Sequence, residues 1–411
     1  MTNETSRTFT ITVLLRFFLL VCALSVTACG SSSDDIIDET AASSSDDSSD
    51  DSSDDDSDDD DSDSDDDTSA DESDDDSSTE DTSCEESGEM AELVCSANAF
   101  MDTLSADQQA GLVYEFTDST AKTTWSNLPS VSRNGLAMGD LTSSQQEAAF
   151  EVLQVALTEQ GMQDLEGLLA ADDYLVEIGA GSNQYGSDHY YLAFIGEPST
   201  TENWMLQFGG HHMAFNITYM AGVGYPVPMH EGAEPKGSFE INSTTYAPLA
   251  DEGNALVAMF NSLTADELSN AFLYDEYYSD VLVGPDNGNG TYPSSYPYGS
   301  NRTGVLVSEL TEEQQAYVIA AIETWVNDYP ANVAEHLLAD YTSEAALEDT
   351  YIAWAGDEST GVDVDVSGTY MRIDGPRLWI EVVCQNGIIV RNQTHYHTVF
   401  RDKTYDYGNS L

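Results

Sequence analysis

Basic residues are scarce in this chain: 11 Lys and Arg stand against 76 Asp and Glu in 411 residues, a formal net charge of −65. Lys122, Lys236 and Lys403 are the only lysines. That balance repels phosphate backbones and anionic headgroups, which argues against nucleic acid or acidic lipid surfaces as partners. It suits a surface kept soluble in a salty medium, where screening softens self-repulsion. Local catalytic motifs are missing as well. There is no Cys-x-x-Cys, no Gly-x-Ser-x-Gly nucleophile elbow and no phosphate-binding glycine loop, so the corresponding chemistries have no sequence signature here.

Cysteine is sparse, at five residues, and each sorts by position. An apolar run from Ile11 to Val26, led by Arg7 and interrupted by Arg16, ends in Val26-Thr27-Ala28-Cys29. A hydrophobic stretch too short for a stable span, small residues and then a cysteine are the pattern of a bacterial lipoprotein signal, with residues 1–28 removed and Cys29 lipidated. The plain alternative is a non-lipidated secretory peptide cut after Ala28. Cys22 leaves with the signal. In an oxidising compartment Cys84 and Cys95 would staple a short segment, 84–96, at the start of the folded part. Cys384, inside the apolar run Trp379 to Val390, then reads as a buried free thiol, although sequence alone leaves its pairing open.

Residues 29–83 hold the lipidation site and an Asp- and Ser-rich tether with about 26 of the 76 acids. Only Ile36 and Ile37 in it are bulky and apolar, so it buries no core and is expected to be disordered. Some fifty-five residues at roughly 3.4 Å each would reach about 190 Å. Flexible carboxylates without the glycine and spacing of a loop site bind calcium weakly. The expected address is the cell envelope, on a membrane through Cys29. The absence of aspartate at Gly30 and Ser31 favours the outer membrane.

The remaining sequence repeats itself. Ala99-Phe100 through Leu104-Ser105-Ala106-Asp107 recurs as Met259-Phe260 through Leu263-Thr264-Ala265-Asp266, and Arg133-Asn134-Gly135 as Arg302-Thr303-Gly304. Tyr191 to Gly196 recurs as Tyr351 to Gly356. The reading is an α+β fold made of an internally duplicated module, copies 97–250 and 251–411, each with a helical part followed by antiparallel strands. Thr142-Ser143-Ser144-Gln145 and Thr311-Glu312-Glu313-Gln314 have the capping-box form, and apolar residues at helical spacing follow both.

Two hairpins are expected late in the copies, one turning at Gly209-Gly210 and one at Asp374-Gly375. Alternation then puts Trp204, Leu206, Phe208, His211, Met213 and Phe215 on one face and Met205, Gln207, His212, Ala214 and Asn216 on the other. In the second copy Arg372, Arg377 and Glu381 share the polar face, so His212 matches Arg377 and Asn216 matches Glu381. His211 reads as a packing or hydrogen-bonding residue. His395 and His397, two apart on a strand, lie on one face about 7 Å apart, and with His212 they supply three nitrogen donors for one ion. Three imidazoles leave a position open, as zinc, copper or iron sites require. Glu381 or Glu231 is the candidate general base, and Arg377 and Asn216 the substrate-binding groups. His230, in a Pro- and Gly-rich stretch, reads as an exposed or lid residue, and His189 and His336 as surface or helix residues.

Trp204 with Phe208-Gly209-Gly210-His211-His212, Asn216, Gly232-Ala233-Glu234-Pro235, Asp374-Gly375-Pro376-Arg377, His395 through Asp402 and Asp406-Tyr407-Gly408 together form a larger pattern. It resembles the bacterial family catalogued as domain of unknown function 3500, from about Ala97 to Leu411. The resemblance implies that these segments belong to one module and implies no activity. Met229-His230-Glu231 departs from it, where a more aromatic segment is expected. Two functions are carried forward. One is an exported, membrane-anchored metal-dependent enzyme, most plausibly hydrolytic. The other is an extracytoplasmic module that binds a small molecule, peptide or sugar, or an envelope partner, without catalysis; it is preferred if His212, Asn216, Arg377 and Glu381 line a pocket while His395 and His397 lie more than about 8 Å from His212, too far to share an ion at ~2 Å bonds.

Overall fold

The computed structural model describes residues 88–411 except 275, 287, 289 and 292–294. The signal segment, Cys29, the acidic tether and Cys84 lie outside the described residues. Everything described belongs to one compact unit, Thr79–Leu411.

Eight strands build the sheet: β1 Tyr191–Ile195, β2 Trp204–Gly210, β3 Met213–Met220, β4 Met229–Ala233, β5 Tyr351–Ala355, β6 Tyr370–Asp374, β7 Leu378–Asn386 and β8 Thr394–Asp402. Their order across it is β1-β2-β3-β4-β8-β7-β6-β5. Neighbours in this row are antiparallel. Short strands extend the edges, among them Val113–Tyr114, which runs parallel to β1 and makes the sheet mixed. Val305–Leu306 borders β5 at the other end. The centre is the β4·β8 pair, with three strands outward on each side.

Six longer helices accompany the sheet: α1 Glu89–Asp102, α2 Ser143–Ala156, α3 Glu159–Glu177, α4 Ala250–Asn261, α5 Glu312–Val326 and α6 Ala331–Tyr341. The capping boxes of α2 and α5 form as the sequence implies, Thr142 with Gln145 and Thr311 with Gln314. Each satisfies two amides that a helix start otherwise leaves open. α1 packs on α2, and α4 on α5. Their apolar stripes meet one sheet face, where Phe100, Leu153, Leu165, Phe260 and Trp325 join Leu206, Phe208, Phe215, Ile373, Ile380 and Phe400 in a single core. Full burial of each such side chain contributes roughly 1.5–3 kcal/mol.

The other sheet face carries the polar alternates and is covered by irregular chain and the short helix Ser119–Thr123 instead of the longer helices. Asn134 donates to the Gln207 side chain, and Trp125 packs with Met205 and Ala214. In the other half the Tyr278 ring stacks on Tyr370 at 3.7 Å, and the Leu282 and Val283 amides bind Glu381. Buried Arg401 is held by Asp406 and by the Val283 and Gly284 carbonyls. Buried charge is stable only when paired in this way.

The hairpin turns differ from the expected ones. The first turns at His211-His212, so Phe208 pairs with Phe215 and Gln207 with Asn216. The second turns at Gly375-Pro376-Arg377, with Asp374 opposite Trp379. In the first hairpin Phe208's partner moves four residues, an even step, so every strand residue keeps its expected face. Gly209 and Gly210 are required for close packing instead of turning. A Cβ on Gly209 would lie 2.4 Å from the Met213 carbonyl, and one on Gly210 would lie 2.6 Å from the Tyr190 ring. His212 itself takes the left-handed conformation, φ 64°, which histidine adopts more readily than branched residues.

Cys384 is a free, buried thiol, its pKa pushed up to about 12 by burial. Cys95 is disulfide-bonded, so the two do not pair with each other.

Gly210→Ala is expected to cost about 1–3 kcal/mol through overpacking against Tyr190. Gly111→Ala, in the helix Ala106–Leu112 and 3.4 Å from Leu136, is expected to be neutral or slightly stabilising. Urea midpoints of the two variants check the contrast.

Candidate metal centre

β8 pairs with β4 so that His397 lies opposite Gly232, and β4 pairs with β3 so that Glu231 lies opposite Met213. One step further along that second ladder, the β2–β3 turn sets His212 on the far side of Gly232. Glycine is needed between the two imidazoles. A Cβ there would lie 3.1 Å from His397 Cδ2, 3.2 Å from His212 Cδ2 and 2.7 Å from the Tyr396 carbonyl. Gly232 therefore leaves the gap through which a turn histidine reaches a strand histidine two ladders away.

His395 and His397 sit on the same face of β8, as alternation requires. His212, His395 and His397 are all buried, and each offers a nitrogen within 4.8 Å of the other two. His212 Nε2 and His395 Nε2 are 2.8 Å apart. Two lone pairs cannot face each other at that distance, so either a proton or an ion lies between them. His395 Nδ1 has no hydrogen-bond partner. Whichever nitrogen of His395 holds its proton, a buried polar atom is left unpaired, at a cost of about 1–3 kcal/mol. An ion shared by the Nε2 atoms, with bonds of ~2.0–2.1 Å, fits such spacings.

Burial, then the neighbouring imidazoles, holds the pKa of His212 well below the usual histidine value and that of His395 at about 3. Both rings are neutral at physiological pH, so no imidazolium charge opposes a bound cation. His397 is fixed from behind, its Nδ1 2.7 Å from Asp280 Oδ1. Burial pushes Asp280 up, but the hydrogen bond and charge of His397 outweigh it and leave the carboxylate below its ordinary pKa. A carboxylate behind an imidazole sets its tautomer and strengthens it as a ligand.

The family model described as "Protein of unknown function (DUF3500)" matches residues 86–409. The chain belongs to this family. No curated protein and no solved structure matches it significantly. In this DUF3500 module the three candidate ligands thus come together well inside the 8 Å limit that separated the two functional readings.

The other residues singled out by sequence are held elsewhere. Glu381 accepts from the Leu282 and Val283 amides, both at 2.7 Å, and from the Tyr370 hydroxyl at 2.9 Å, so both oxygens are occupied. Asn216 joins Gln207 and the Pro228 carbonyl. Arg377 is bound to Asp402 and Asp340 and lies over the Tyr405 ring. Asp402 is five residues from His397 on β8, about 16 Å at ~3.3 Å per residue.

His230 is neither exposed nor in a loop. It is fully buried on β4, its ring 5.2 Å from that of His397, and burial with the His397 charge holds its pKa well below the usual value. Glu231 alternates to the helical face, away from the histidines, and cannot serve them as a base. His211 stacks on His212 at 3.7 Å and bonds Asp172 at 2.6 Å. His189 is half-buried with its Nε2 3.0 Å from the Ser182 carbonyl, and His336 on α6 bonds the Gly224 carbonyl.

Asp280 was not singled out by sequence, and Gly232 entered only as part of the family pattern, with no role in the site. Asp280 lies in an irregular segment with no motif. Gly232 does have a signal, since a glycine inside a strand marks a close approach. The Asp280 bond predicts that metal-free His397 carries its proton on Nδ1. Long-range 1H–15N spectra should show that tautomer; a proton on Nε2 would contradict the geometry.

Proposed function

We propose that this DUF3500 protein is an envelope lipoprotein whose folded module binds one divalent transition metal ion through His212, His395 and His397. The observation that carries the reading is the convergence of three buried imidazole nitrogens within 4.8 Å, from segments 183 residues apart. Neutral imidazoles suit zinc, copper or iron. Asp280 behind His397 supports a metal centre, as does Gly232, whose missing side chain lets the rings approach. Bound there, an ion would supply Lewis acidity or electron transfer. Because Glu381 and Arg377 are committed to other partners, the reading is metal binding, with hydrolysis left out.

The address rests on the sequence of residues 1–83, with cleavage before a lipidated Cys29 and the acidic tether holding the module off an outer membrane. Among the described residues no helix is long and apolar enough to cross a membrane. Duplication is part of the same proposal. It is supported by the mirrored strand order, by the matching capping boxes, and by Arg133 and Arg302, which donate to the Gly210 and Asp374 carbonyls at the two hairpins.

Protein purified without a histidine tag, in high salt to strip the tether, should carry close to one zinc, copper or iron per chain. His395→Ala with His397→Ala should abolish that content, and Asp280→Asn should weaken affinity about 10–100-fold. Elemental analysis and metal titration measure both. No bound metal after anaerobic and metal-supplemented purification would reject the reading.

A further inference from the structure

Glu231, one residue from His230 on β4, lies on the opposite sheet face. Its two carboxylate oxygens have no hydrogen-bond partner, and the side chain is 1 % exposed. Three more carboxylates gather there: Asp164 from α3, Glu252 from α4 and Asp328 from the α5–α6 connection. One oxygen from each of these three lies within 4.8 Å of those of the other two. Both oxygens of Glu252 and Oδ1 of Asp328 are also unpartnered. After burial, Glu231 is the strongest influence on Asp328, and Asp164 and Glu252 are the strongest on Glu231. The close group is Asp164, Glu252 and Asp328, and Glu231 is an acidic neighbour that feels their charge.

Buried carboxylates are normally paired or bind metal, because an isolated charge in low dielectric is too costly. We infer that Asp164, Glu252 and Asp328 bind a hard divalent cation of the calcium, magnesium or manganese class between the helices and the sheet. Three carboxylates with no nitrogen or sulfur donor select that class over zinc or copper. Oxygens on opposite sides of a calcium ion, at 2.3–2.6 Å each, stand about 5 Å apart, which matches the spread of the cluster. A cavity of about 310 Å³ lined by Asp164, Glu166, Tyr246, Pro248 and Asp251 gives solvent a route to the first ligand. Without a cation, protons must serve instead: burial raises all four groups, Asp164 to about 6. Such an ion would tie α3 to α4 and to the α5–α6 connection. The inference is independent of the histidine site, which lies on the other face of β4 and uses other donors.

The acidic tether also attracts cations, so stoichiometry alone does not report on this cluster and the thermal midpoint is the readout. Full-length chain, treated with EDTA and dialysed at pH 7.5, is melted with calcium, magnesium or manganese. At 100-fold excess over Kd, at least one of these ions should raise the midpoint by about 5 °C. Glu252→Gln with Asp328→Asn should remove that rise and, without cation, melt no lower than wild type, since repulsion is relieved. No rise with any of the three ions, or an equal rise in the variant, overturns the inference. Should the double variant not fold, manganese EPR of the wild type decides. An immobilised signal that survives 0.5 M salt supports the site, and full exchange rejects it.

Discussion

The antiparallel pairing of β4 with β8 is the constraint on which the rest of the structure depends. It joins the two halves of the sheet, and its register, Gly232 opposite His397 and Glu231 opposite Thr398, decides what each face receives. A slip by one residue would turn His397 into the apolar core and Glu231 away from the helical layer. With the register as it stands, β4 presents His230 to one side and Glu231 to the other. Two buried polar clusters of different chemistry are thus separated by the thickness of one strand.

The two clusters are stabilised differently. On the irregular face, His212 and His395 are held neutral by burial and by neighbouring imidazoles, and Asp280 orients the His397 ring. On the helical face, the Asp164, Glu252 and Asp328 carboxylates crowd together with Glu231 near them, and burial raises their pKa values. Neither arrangement lowers the free energy of the metal-free fold, and both are concentrated at the centre of the sheet. Natural structures accept such local costs where the groups serve binding.

Much of this was legible in the sequence. The α+β class, the capping boxes of α2 and α5, the facing of every strand residue in the two hairpins, and the identity of His212, His395 and His397 as partners all follow from local chemistry and period-2 alternation. The turn positions did not. Gly209-Gly210 looks like a turn pair, but the demand for glycine came from the Met213 backbone and the Tyr190 ring, contacts that no local pattern encodes. His230 was misplaced for a related reason: Pro228 and Gly232 suggest a loop, while the strand is fixed by its ladders to β3 and β8. Glu381 and Arg377 were assigned to chemistry because they are polar and strand-borne. Their partners, the Leu282 and Val283 amides and the Asp340 and Asp402 carboxylates, come from distant segments.

The large negative charge now has a more specific meaning than solubility. The few cations of the folded part are largely committed to pairs, as Arg302 with Asp349 and Asp374, Arg377 with Asp340 and Asp402, and Arg401 with Asp406. The buried carboxylates beside Glu231 are left to be neutralised by protons or metal. The central claim, however, concerns the histidines. X-ray absorption at the metal edge of the loaded protein tests it most directly. The account predicts three imidazole nitrogens at about 2.0–2.1 Å, with outer-ring scattering that disappears in His395→Ala with His397→Ala. An oxygen-only shell, or an unchanged spectrum in that variant, would contradict it.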